Sequence, residues 1–334
     1  MIYFLSAFVL SVILTLLVRK IALRLGIVDH PDAQRKLHKK ATPLLGGAAI
    51  FLSFWAVIIY LLFNPVSGVD IIKNQLLLAL IASIIILLVG IADDLRPFSA
   101  KFRLALVAMA VLIAVFPIAW LTKITNPFGS YIELGAVAGN IIVFFWLLGM
   151  TYTTKILDGL DGLATGIVAV GTLVIIFLTN TAKFYQPNVG LVAAVFLGAC
   201  LGFLFFNFYP AKIFLGESGS LFIGFMLGVL AVAGGGKVAT ALLVMAIPIL
   251  DLARVAYVRI KKKQSIFKGD REHLHFRLVD AGFSQRRAVL LLYGLAFLFG
   301  VTTLFLQSLQ KLYALFALVI LMAVISHLLG RKQI

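Results

Sequence analysis

Residues 73–97 read KNQLLLALIASIIILLVGIADDLRP, a run from Leu76 to Ala92 in which Ser83 is the only polar side chain, closed by Asp93 and Asp94. Roughly twenty residues of this character make a helix that crosses a bilayer. Working outward, similar apolar runs recur between charge clusters and predict eleven spans, near 2–24, 45–63, 73–92, 101–120, 136–154, 161–180, 188–208, 218–234, 237–258, 286–307 and 311–329. The whole chain of 334 residues is 62% hydrophobic and 13% charged, where a soluble domain has roughly 45–50% and about 25%. A water-soluble domain is thereby excluded, and an all-α polytopic membrane protein is expected. No basic segment precedes the run Ile2–Val18, so it reads as a retained span rather than a cleaved leader. Cys200, the single cysteine, lies inside an apolar run and reads as a small core residue, with no disulfide or cysteine metal site to build.

The net charge of +16 could serve nucleic acid, an anionic membrane face or a phosphorylated substrate. Its distribution decides. Twenty-four of the 29 basic residues fall in alternate connections, and only Lys73, Lys123, Lys183, Lys237 and Lys311 fall in the others. The positive-inside rule makes the richer set cytoplasmic, which puts the N-terminus outside and the C-terminus inside. The expected organisation is one membrane domain, 1–334, with cytoplasmic loops 25–44, 93–100, 155–161 and 209–217 and an arm 259–286. A small outer hairpin is expected near 122–134, around Asn126-Pro127 and Gly129-Ser130. The arm lacks aromatics interleaved with its Lys/Arg run, which argues against nucleic acid.

Acidic residues do not have to segregate for orientation, yet eleven of thirteen lie on the predicted inner face, with four of the five histidines. The chemistry is therefore expected there. Asp93 and Asp94 close a span where the helix dipole disfavours anions, which marks them as catalytic candidates pointing about 100° apart. Asp158 and Asp161, in KILDGLDG, would share a face if helical. Glu217, among small residues in FLGESGS, combines an oxygen ligand for a hard cation with a helix N-terminus whose N–H groups suit phosphate. Phe214 could stack on a base. His273 and His275, in DREHLHFR, would point about 200° apart in a helix, so joint action needs an extended or looped backbone. With Arg271 and Arg277 beside them, phosphate binding fits better than zinc. Arg35, Lys36 and His38 in the first loop are cations suited to a phosphate headgroup. Gly234-Gly235-Gly236-Lys237 is superficially like a P-loop but lacks its flanking residues and reads as an outer turn.

DDLRP at 93–97, DGLDG at 158–162, FNFYPAKIFLGESGS at 206–220, PILDLARV at 248–255 and DREHLHFRL at 270–278, in this order, resemble the polyprenyl-phosphate N-acetylhexosamine-1-phosphate transferases, a glycosyltransferase family 4 type. The histidine arm and RKLH at 35–38 look more like the WecA/TagO branch than the MraY branch. The resemblance implies transfer of a sugar 1-phosphate, N-acetylglucosamine 1-phosphate foremost, from a UDP-sugar to undecaprenyl phosphate with release of UMP. Such a step initiates a cell-envelope glycan such as lipopolysaccharide or teichoic acid, at the cytoplasmic face of a bacterial plasma membrane. It implies Mg²⁺, with Mn²⁺ as the alternative, held by Glu217 and Asp94. The catalytic set it implies is Asp93, Asp94, Asp158, Asp161, His273 and His275, with Asn207 and Phe214 near the uridine. A homodimer is left open. Three positions depart from the family pattern: Lys155 stands for an asparagine, Glu217 for an aspartate and Phe276 for a histidine. Lys155 and Glu217 are expected within ion-pair reach, Lys155 adding positive charge to the diphosphate site. The departures keep open a non-catalytic lipid-phosphate binder or scramblase-like relative, which Mg²⁺-dependent UMP release would separate from a transferase.

Overall fold

A computed structural model describes residues 1–31, 40–66, 73–116, 121–126, 131–233, 238–265, 271–306 and 308–331. Arg35, Lys36, His38 and the Gly234–Lys237 turn lie outside the described residues, as does Asp270. The helices are α1 (Ile2–Leu25), α2 (Gly46–Phe63), α3 (Lys73–Leu95), α4 (Ala100–Val115), α5 (Ala136–Leu157), α6 (Leu163–Thr179), α7 (Pro187–Asn207), α8 (Gly216–Ala233), α9 (Val238–Val244), α10 (Ala246–Lys261), α11 (Leu274–Asp280), α12 (Gln285–Phe305) and α13 (Ser308–Arg331). The apolar runs predicted as spans are helical over most of their described parts, and the run 237–258 is broken at Met245 between α9 and α10. Among the described residues, seven helices are long and apolar enough to cross a membrane, and α9 with α10, bent by 71°, makes an eighth if the pair is one span. Helices α4 and α6 have 16 and 17 residues, short of the usual spanning length. The protein is a multi-pass, all-α membrane protein.

Helix α8 is the hub. Every residue from Ser218 to Val232 is buried, although the sequence of this helix is no more apolar than that of its neighbours. Lipid is as apolar as leucine, so what distinguishes an interior helix in a bilayer is how closely others approach it. Gly90 of α3 and Gly47 of α2 lie so near the backbone of Ser218 and Gly219 that a Cβ at either would collide with main chain. On a third side Thr154 of α5 donates its hydroxyl to the Ser220 carbonyl at 2.8 Å. Phe222 closes an edge-to-face aromatic cluster with Phe51, Phe54 and Phe196 from α2 and α7. Helix α1 is tied to α7 by Ser11, whose hydroxyl donates to the Ala199 carbonyl at 2.7 Å.

Two small antiparallel pairs decorate the bundle. The sequence predicts the hairpin of β3 (Lys123–Thr125) and β4 (Tyr131–Glu133), closed by Lys123–Glu133 at 3.0 Å. It does not predict β1 (Val28–Asp29) with β2 (Thr42–Pro43), since two-residue strands leave no periodicity to read. That second pair has consequences for the site: the Pro43 carbonyl accepts from Phe214 N–H, and the carbonyls of Phe214 and Leu215 accept from Gly46 and Gly47 N–H. The loop between α7 and α8 is thus stitched to the start of α2. The bend between α9 and α10 comes just ahead of Pro248, in the first turn of α10 where a missing N–H is tolerated.

Gly90→Val places side chain against the Ser218 main chain and is expected to destabilise by about 1–3 kcal/mol, the usual penalty of overpacking. Gly149→Val on α5, with nothing within 4 Å, is the control. Thermal unfolding in detergent should show a lowered midpoint for the first and none for the second; equal midpoints would contradict the close α3–α8 contact.

Candidate functional site

The two aspartates that end α3 diverge, as their helical spacing requires, and both reach protein groups. Asp93, 4% exposed, folds over the α3–α4 turn, accepting from Phe98 N–H at 2.6 Å and from the Arg103 guanidinium at 2.5 Å. Asp94 points to α8: one oxygen accepts Glu217 N–H at 2.8 Å, the other Ser218 N–H at 3.3 Å and the Ser218 hydroxyl at 3.0 Å. A carboxylate badly placed at one helix C-terminus is therefore well placed at another helix's N-terminus. Gly216, at φ +76°, makes the approach possible, because a Cβ there would sit 2.6 Å from an Asp94 oxygen. The expectation that the α8 N-terminus offers free donors to phosphate is corrected here: the N–H groups of Glu217 and Ser218 serve Asp94.

Glu217 faces the opposite side of that turn. Its Oε1 lies 2.8 Å from Lys155 Nζ and 3.6 Å from the Arg103 guanidinium, so the expected ion pair is present. Its Oε2 is buried and has no hydrogen-bond partner among the described residues. Asp158, at the C-cap of α5, completes the group. Burial first, then the charges of Glu217, Asp94 and Asp161, push its carboxyl well above the usual carboxylate range, against the opposing pull of Lys155. Asp158 and Asp161 do not share a helical face, because the 158–162 segment is a turn ending at Gly162 with φ +79°. Asp161 instead accepts Ala211 N–H at 2.9 Å, holding the turn to the α7–α8 loop. Asn207 closes that same loop by donating to the Ile213 carbonyl at 3.0 Å, its own Oδ1 buried without a partner among the described residues.

The histidine arm forms a second cluster. Asp251, in the second turn of α10, accepts from His273 Nδ1 at 2.9 Å, from Leu274 N–H at 2.9 Å and from Arg254 at 2.9 Å. Arg254 also donates to the Glu272 carbonyl. His273 is extended at the N-cap of α11 (φ −65°, ψ 146°), the non-helical backbone that joint action of the two histidines calls for. Its ring lies parallel to that of His275, with centroids 5.8 Å apart. Arg271 pairs with Asp280 at 2.5 Å and covers the Phe276 ring, while Arg277 is buried in the arm. The two clusters meet at Gly159, where a Cβ would collide with His275 Nε2. Beside this contact lies an apolar pocket lined by Leu157, Ile167, Ile247, Pro248, Leu292 and Ala296, with Asp251 and His275 also facing it.

Among the described residues no three carboxylate or imidazole groups converge tightly enough to hold a metal by themselves. Mg²⁺ does not need three, since one or two carboxylates plus substrate phosphates and water are its common shell. The orphaned Oε2 of Glu217 and the charge-crowded carboxylate of Asp158 fit that role; Asp94, expected as a ligand, has both oxygens committed to α8. Reading the sequence missed Arg103, which looks like one more inner-face cation, and missed Asp251 as the anchor of His273. The spacing of Asp251 to Arg254 (i, i+3) was the available signal.

A family model described as glycosyl transferase family 4 matches residues 75–235. The chain is 32% identical to the "Probable undecaprenyl-phosphate N-acetylglucosaminyl 1-phosphate transferase" of Bacillus subtilis (strain 168), across 99% of this chain and 93% of that protein. It is 32% identical to the "Decaprenyl-phosphate N-acetylglucosaminephosphotransferase" of Mycobacterium tuberculosis (strain ATCC 25618 / H37Rv), across 86% and 78%. With the "Undecaprenyl-phosphate alpha-N-acetylglucosaminyl 1-phosphate transferase" of Escherichia coli (strain K12) it shares 27% identity, again across 86% and 78%.

His275 yields a pH prediction. Burial and the neighbouring His273 hold its imidazole down to about 3, against Asp251. An unfolded chain takes up this proton near pH 6.5, so the group's contribution to stability is complete above about pH 6.5 and is lost as pH falls toward 3. Unfolding midpoints measured from pH 7 to 4 should decline for the native protein and decline less for His275→Gln. Parallel declines would contradict the assignment.

Proposed function

The chain belongs to glycosyl transferase family 4, and from that premise we propose that it transfers N-acetylglucosamine 1-phosphate from its UDP derivative to undecaprenyl phosphate, releasing UMP. The observation that carries this reading is the convergence of Asp158, Glu217, Lys155 and Arg103 at the ends of α5, α8 and α4, beside a buried imidazole and an apolar pocket. That combination suits a nucleoside diphosphate on one side and a lipid phosphate on the other. The 24 to 5 division of basic residues supports eleven crossings with the N-terminus outside and this site on the cytoplasmic face.

The step is a displacement at the β-phosphorus. An oxygen of the lipid phosphate forms the new O–P bond, the bond from the β-phosphorus to the bridging oxygen breaks, and UMP leaves with that oxygen. Asp158 is the carboxylate of the cluster with no hydrogen-bond commitment among the described residues, which leaves it available beside Glu217 to a cation that accompanies the diphosphate. Lys155 and Arg103 face the charge that develops on the leaving phosphate. Asp93 and Asp94 act one step back: the first holds Arg103, and the second fixes the α8 turn that carries Glu217. His273, held by Asp251, and His275 close the site from the arm. Glu217 and Asp158 would hold Mg²⁺, which would supply neutralisation of the diphosphate. Because the lipid phosphate is already an anionic nucleophile, no covalent enzyme intermediate is required.

Purified protein given undecaprenyl phosphate and UDP-N-acetylglucosamine should release UMP with Mg²⁺ and not with EDTA. Asp158→Asn and Glu217→Ala should each lower kcat by about a hundredfold or more, the range for loss of a charge clamp. A well-folded sample that releases no UMP from any of a panel of UDP-sugars would favour the non-catalytic lipid-phosphate binder instead.

A further inference from the structure

Lys155 occupies an unusual place. Its ammonium lies 2.8 Å from Glu217 Oε1, yet that oxygen already has a second cation, Arg103, at 3.6 Å. Arg103 is not free to leave, because Asp93 holds the same guanidinium. Lys155 has no such tether. Its backbone is fixed against α8 by the neighbouring Thr154–Ser220 hydrogen bond, but its side chain is 19% exposed and ends a flexible four-carbon stem that can turn. On the other side of the same carboxylate, Oε2 is buried and unpartnered. Glu217 is thus a carboxylate with one oxygen over-supplied with positive charge and the other without any.

On the reading that this site takes a nucleoside diphosphate with a divalent cation, we propose that Lys155 is a resident counter-ion which the divalent cation displaces from Glu217, and that the released ammonium then turns to the phosphates of the nucleotide. The physical basis is competition. A monovalent and a divalent cation within a few ångströms on one half-buried carboxylate repel each other strongly, since solvent screens little at that range. The doubly charged ion, with Asp158 as a second anion, holds the stronger claim. The displaced ammonium does not lose its partner, because the incoming diphosphate brings new negative charge to the same place. One lysine thereby keeps Glu217 neutralised in the resting protein and couples occupancy of the cation site to grip on the nucleotide. Charge is conserved at each stage, and no further group is needed.

The two halves of the proposal predict opposite changes from one substitution. In detergent-solubilised full-length protein, Mn²⁺ titrated by electron paramagnetic resonance should bind Lys155→Met and Lys155→Gln about tenfold more tightly than the native protein, a competitor having been removed. UDP at saturating Mn²⁺ should bind both variants about tenfold more weakly. Lys155→Arg, which keeps the charge, should stay near native on the cation titration. Thermal unfolding of each variant establishes that it is folded. Unchanged or weaker Mn²⁺ binding by folded Lys155→Met and Lys155→Gln overturns the proposal, while a native protein that binds Mn²⁺ and releases UMP leaves the proposed function standing. A native protein that does neither removes both.

Discussion

The hydrogen bonds from the first turn of α8 to the carboxylate of Asp94 are what the rest of the site depends on. They join a helix C-terminus to a helix N-terminus, so an anion that would be unfavourable on its own helix is stabilised by the next. They also fix a direction. With Glu217 and Ser218 N–H both held, the Glu217 side chain is turned toward α5, where Lys155 and Asp158 wait. The packing serves this contact: Gly90 and Gly47 bring α3 and α2 onto the α8 backbone at its first turn. Small residues that look featureless in an apolar sequence thereby bring three helices together at the turn that carries Glu217.

The electrostatic consequence is a cluster of carboxylates that share two cations. Arg103 serves Asp93 and Glu217, and Lys155 serves Glu217 and acts on Asp158. Asp93 and Asp94 are compensated by Arg103 and by helix α8, and Asp161 by a backbone N–H. Asp158 and one oxygen of Glu217 remain, and burial first, with the neighbouring carboxylates second, raises the pKa of Asp158. Buried like charges are retained where something else is to be bound or a proton is to be moved. The arm adds a separately braced imidazole pair, and Gly159 lets the two clusters touch.

Much of this was legible in the sequence and some was not, for physical reasons. Apolar helices and the Asp93-Asp94, DGLDG, Glu217 and histidine motifs are local patterns, and local patterns survive in one dimension. The Lys155–Glu217 pair could be expected because both residues break the pattern of their motifs. The partner of Asp94 could not, since it is main chain 123 residues away. Arg103 was hidden among cations that orientation alone explains, and its pairing with Asp93 depends on how tightly the 96–99 turn closes. Asp158 and Asp161 would share a face only on a helix, and the glycines between and after them make a turn instead. The strands β1 and β2 are too short to leave a periodic trace.

The central claim is that Glu217 and Asp158, across the α5–α8 contact, are where a divalent cation and a nucleotide diphosphate meet. Anomalous diffraction from crystals of the protein grown with Mn²⁺ and UDP tests it most directly. The account predicts a single manganese peak bonded to carboxylate oxygens of Glu217 and Asp158, with diphosphate oxygens completing its shell and Lys155 turned from Glu217 to the nucleotide. A peak at the His273–His275 arm, or a bound nucleotide with Lys155 still seated on Glu217 and no metal beside it, would contradict the account.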